Sequence, residues 1–217
     1  MNSRGKERAM TSTHIHRIAR SVSAVGLIAL LGCGGDAEES APAATEGAAA
    51  PTGGGISPRA MADALHAVME ADRTVYTRNV VNRLQNQEEV IRASEHWEDD
   101  KALPLPAQMF RMGAEIVGER EDAGFTYSLM SPWPINSQNS PRTDVERDGM
   151  NSVVETSAPF YGEETLGDVT YFTAIYPDIA VADACISCHN GHADSPRDDF
   201  ELGNVMGGVV IRIPLGS

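Results

Sequence analysis

The run Cys185-Ile186-Ser187-Cys188-His189 constrains this chain more tightly than any other stretch of its 217 residues. Two thiols separated by two residues can each add to a vinyl group of one porphyrin, while the next side chain, an imidazole, turns back onto the iron. A chain that binds haem c in this way must hold one short segment rigidly between ordered elements and cover it with apolar side chains. The same donors admit two other readings. One is a redox-active or structural Cys-x-x-Cys pair, and the other is a zinc site built from Cys185, Cys188, His189 and His192. Covalent haem attachment is the reading that gives His189 a complete role.

The third cysteine belongs to a different signal. Cys33 ends the run Leu30-Leu31-Gly32-Cys33, after a cationic start and an apolar stretch from Val22 to Leu31. That stretch is too short for a permanent membrane helix, and the pattern resembles a bacterial lipobox, so residues 1–32 read as a lipoprotein signal peptide. Lipid on Cys33 would anchor the chain to the periplasmic side of a bacterial membrane. Residues 33–57 then form a tether. Between Gly34 and Ser57 the only aliphatic residue larger than alanine is Ile56, so this stretch cannot offset its ordering entropy by burial. As a flexible coil it would reach about 25–30 Å.

The charge balance narrows the partners. The formal net charge is −14, and removal of residues 1–32 leaves 12 basic against 30 acidic residues, a net −18. Such a surface repels nucleic acid and anionic headgroups and favours a basic redox or signalling partner.

Residues 58–217 read as one folded domain. Ser57 and Pro58 suit an N-cap and first helical position. Met61, Leu65, Val68, Met69, Val75, Tyr76, Val80 and Leu84 then predict an amphipathic helix over 58–84. Residues 85–105 are polar and predict a loop with a helical turn. A second helix is expected over 107–119, with Met109, Met112 and Ile116 on one side, and a third over 143–156. Strands are expected at 125–129, 168–176 and 205–214, the haem motif lying in the loop between the last two.

Several stretches together resemble a known family of single-haem c-type domains with a PAS-like fold, found in bacterial sensors and as exported proteins. They are Asp72 to Thr77, Leu103 to Ala107, Ser131-Pro132-Trp133-Pro134 with Asn139-Ser140-Pro141, and Cys185 to Pro196 leading into Leu202 to Gly207. The resemblance implies an α+β fold, a small antiparallel sheet flanked by helices, with His189 as one axial ligand. Family members can use a cysteine thiolate as the other ligand, and this chain has no cysteine left to give. His192 is too close in the chain to His189 to reach the opposite face of the same iron. His66 is therefore the candidate sixth ligand, with His96, Met69, Met109, Met112 and Met206 as further donors and Tyr76 as a less suitable one.

These features predict electron transfer or redox sensing if the iron has two protein ligands, and small-gas sensing through a partner if the sixth position is open. No distal acid–base residue can be assigned for a peroxidase, so catalysis ranks third behind these two readings.

Overall fold

A computed structural model describes residues 55–216. The expected signal peptide, the lipid site Cys33 and most of the tether lie outside the described residues.

Helix α1 spans Pro58–Val75, and the Ser57 hydroxyl caps it by accepting from the Ala60 amide at 3.2 Å. The chain then continues without a break as a π-helical segment, Tyr76–Gln87, closed by the Glu88 amide donating to the Arg83 carbonyl five residues back. This wider winding carries the helical path three residues beyond the predicted end. It brings Thr77, Val81 and Asn82 to the buried side together. The inward stripe also differs from the predicted one. Val68 and Val75 are 62% and 55% exposed, whereas Ala62 is buried and His66, Met69 and Arg73 are partly buried on the inner side. Met61, Leu65 and Met69 pack on the core as the spacing predicts, so of that stripe only Val68 and Val75 turn to solvent, while His66 and Arg73 join the inner side.

Residues 93–104 form two short parallel bridges, β1 (Ala93–Ser94) and β2 (Leu103–Pro104), around a single-turn helix, α2 (Trp97–Asp100). Helix α3 spans Pro106–Gly118 and buries Phe110, while Ile116 is 65% exposed. Helix α4 spans Asp144–Thr156 and starts with a reciprocal Thr143/Glu146 capping box.

The sheet holds β3 (Thr126–Met130), β4 (Phe160–Leu166), β5 (Val169–Ile179) and β6 (Val205–Pro214), all antiparallel, in the order β3-β6-β5-β4. Strand β4 was not expected, because Gly162, Glu163 and Glu164 interrupt its apolar pattern. It lies at a sheet edge, where the exposed Glu163 is tolerated, while Glu164 is buried and paired with Arg212. The Gly167-Asp168 pair that joins it to β5, with Gly167 at φ +63°, was its legible signal.

Helices cover both faces of this sheet. Ala174, Tyr176, Val209, Ile211 and Ile213 pack with Ala62 of α1 and Phe110 of α3, while Ile175 and Val210 pack with Met150 and Val153 of α4. The period-two alternation of β5 and β6 feeds both layers, which explains why β6 is buried almost throughout.

Candidate functional site

The connection from β5 to β6 carries the Cys-x-x-Cys-His motif on a short helix, α5 (Asp183–Gly191), rather than on an irregular loop. On a helix, positions i, i+3 and i+4 share one face, so Cys185, Cys188 and His189 project together. Two contacts fix that helix. The Asn82 side-chain oxygen accepts from the Ala184 amide at 3.2 Å, tying α5 to the π-helical segment. Asn190 clamps the return chain: its amide donates to the Phe200 carbonyl at 2.9 Å, and its oxygen accepts from the Phe200 amide at 3.0 Å.

The surroundings of the motif are apolar. Cys185 and Ile186 pack against a cluster of Ala180, Phe200 and Met206, with Trp133 at its side. Phe200 sits edge-on between Trp133, at 5.8 Å, and His189, at 5.7 Å. Both cysteines are free and half-buried. Burial, reinforced by the Glu95 carboxylate and by Cys185, pushes the Cys188 thiol up, which is the opposite of an activated redox thiolate. Burial, with help from Arg73 and His192, holds the His189 imidazole below its ordinary value and so neutral. Its Nδ1 is buried without a hydrogen-bond partner. A neutral imidazole with an unspent nitrogen is the form in which histidine ligates a metal. These residues therefore fit the covalent attachment and axial ligation of a porphyrin.

His192 is committed elsewhere. Its Nδ1 accepts from the Asp194 amide at 3.1 Å, so the proton of the neutral ring lies on Nε2, which pairs with Glu95. Both ring nitrogens are spent, and no group of three or more His, Cys, Asp or Glu side chains converges as a metal site among the described residues. The zinc reading thus finds no assembled ligand set.

His66 lies in a neighbouring cleft between α1 and the end of β5, which it shares with Met69, Glu70, Arg73 and Asp178. Burial lowers its pKa against the opposing pull of Glu70 and Asp63. His96 is exposed at the start of α2, and the Tyr76 hydroxyl is spent on the Pro104 carbonyl at 2.8 Å. Met206 is buried in the cluster around Cys185, while Met109 and Met112 are half-buried on α3.

The sequence reading missed the role of Arg73 at this site. Its guanidinium pairs with Asp178 at the end of β5, and its charge helps hold the His189 imidazole below its ordinary value. The signal was its phase: Arg73 follows Met69 and precedes Thr77 by four residues each, on the inner side of the helix.

No curated protein matches the chain. The fold is similar to that of a solved structure described as the cyanobacterial heme-protein Tll0287, with a TM-score of 0.51 at 12% identity, covering 75% of this chain and 99% of that one. Residues 57–214 match the Tll0287-like family, and the chain belongs to that family.

Proposed function

We propose that this chain carries one covalently attached c-type haem and serves electron transfer or redox sensing. In this reading Cys185 and Cys188 form the two thioethers and His189 is an axial ligand. The observation that carries it is the single face of α5, which presents two free, half-buried thiols and a neutral imidazole with an unpartnered buried nitrogen to an apolar cluster. Similarity to a structure described as a heme-protein supports it, and the pairing of β3 with β6, the first and last strands of the main sheet, supports a PAS-like domain. Bound haem supplies one-electron redox chemistry. Around it, α5 fixes the attachment points, the Asn190 clamp sets Phe200 against the His189 ring, and Phe200, Met206 and Trp133 exclude water. His66 is our candidate for the second axial position, because His192 is committed to Glu95 and His96 is exposed. The stacking of His66 on Tyr176 favours a second reading, in which that position stays open and the protein senses a small gas through a partner. Lipid on Cys33 would place either activity at the periplasmic side of a membrane, facing a basic partner protein.

The test is covalent retention. Protein expressed with a cytochrome c maturation system should keep its colour through acidic acetone extraction and show one added haem mass. Cys185→Ala or Cys188→Ala should weaken retention, and the double variant should abolish it. A colourless matured protein, or one that carries zinc, refutes the proposal.

A further inference from the structure

Arg73 is a charged side chain on the core face of α1 with only part of its hydrogen-bonding capacity used. Its guanidinium is paired with Asp178, the two side chains being 17% and 11% exposed, while its Nε is buried with no partner. An arginine in such a setting presents a fork of donors suited to two carboxylates. Asp178 supplies one, and among the described residues no group hydrogen-bonds the buried Nε. The placement says which ligand the remaining edge faces. Asp178 lies at the end of β5 just before the chain turns into α5, and Arg73 and Asp178 line the same cleft as His66, the candidate second axial ligand.

On the reading that Cys185, Cys188 and His189 hold a haem, we propose that Arg73, braced by Asp178, binds a carboxylate of that haem and sets its potential through the buried positive charge. The guanidinium opposes the additional positive charge of the oxidised iron and so favours the reduced state. Asp178 acts in the opposite sense, offsetting part of that charge while orienting the group that carries it.

The experiment is a spectroelectrochemical titration of the full-length holoprotein and of Arg73→Gln, Asp178→Asn and the double Arg73→Leu/Asp178→Asn variant, each checked for covalent haem content. Arg73→Gln should lower the midpoint potential, with the reduced-to-oxidised ratio at fixed potential falling at least about tenfold, or about 59 mV for one electron. Asp178→Asn should raise the midpoint. The double variant, which removes the pair without leaving a lone buried charge, should keep its fold and give a midpoint between those of the two single variants. A structural loosening would move both single variants in the same direction, and that result, or an unchanged midpoint in haem-loaded Arg73→Gln, overturns the proposal. Absence of haem from the wild-type protein would instead defeat the reading on which it rests.

Discussion

The imidazole of His66 lies flat on the phenol of Tyr176, with ring centroids 4.0 Å apart and planes 9° from parallel. Tyr176 is 3% exposed and donates to the Asp63 carboxylate at 2.7 Å, as Tyr161 does at the same distance. Burial and this hydrogen bond hold the Tyr176 hydroxyl far above the ordinary phenol range, so it stays protonated and the stack stays neutral. Burial likewise keeps His66 neutral, which is the form able to ligate.

Ligation by His66 therefore predicts a low-spin ferrous protein that resists carbon monoxide. His66→Ala should then open the site to the gas without releasing the covalent haem, as read from the optical spectrum with and without carbon monoxide. Binding of carbon monoxide by the unmutated protein would instead support the open-site reading. A low-spin spectrum unchanged in His66→Ala would reject His66 and turn attention to Met69, in the same cleft.

A second buried charge cluster predicts the acid limit of the fold. Arg212 of β6 donates to Glu164 at 2.8 Å and pairs with Glu146 of α4 on the face opposite α1. Burial pulls the Glu146 carboxyl upward, but the hydrogen bonds from Arg212 and from the Arg142 and Thr143 amides outweigh it, so the group is held below the usual range. Its contribution is then complete above the unfolded glutamate value of about 4.3 and is lost as pH falls through the lowered folded value. Arg212→Met should cost about 3–5 kcal/mol at neutral pH, because two buried carboxylates lose their cation. Urea melts at pH 7 and pH 4 should show the wild-type advantage shrinking at the lower pH.

How much of this could be read from the chain depended on whether the pattern was local. The cap at Ser57, the capping box at Thr143 and the long apolar strand at Val205 all use neighbours in sequence, and the expected elements formed there. The three motif residues also needed no tertiary information to be singled out, since their spacing carries their chemistry. The inward turn of Arg73 and the engagement of His192 by Glu95 depend on partners about a hundred residues away, which periodicity cannot see. Nor could it anticipate the π-helical winding after Val75, where the count of residues per turn itself changes.

Export is tested outside the folded domain. Cys33 follows a lipobox-like run, so Cys33→Ser should abolish lipid attachment and move the protein from the membrane to the soluble periplasmic fraction, as read by fractionation and mass spectrometry. Recovery of wild-type protein with an unmodified Cys33 would remove the anchor from the proposal while leaving the haem site untouched.

The clamp between Asn190 and Phe200 predicts a graded series. Its two hydrogen bonds, at 2.9 and 3.0 Å, join the end of α5 to the segment that leads into β6, and they hold the Phe200 ring edge-on to His189. Asn190→Ala removes both and leaves a half-buried amide and carbonyl unpaired, a cost of about 1–3 kcal/mol. Asn190→Asp keeps an oxygen for the Phe200 amide but turns an acceptor toward the Phe200 carbonyl, so it should lose part of that stability. Thermal melts should therefore rank wild type above Asn190→Asp and Asn190→Asp above Asn190→Ala. If Phe200 orients the His189 ring as well as covering it, the haem-loaded Asn190→Ala protein should also show a broadened or shifted Soret band at a temperature where it is still folded. An Asn190→Ala protein with wild-type stability and an unchanged band would show that α5 is held by Asn82 and the apolar cluster without the clamp.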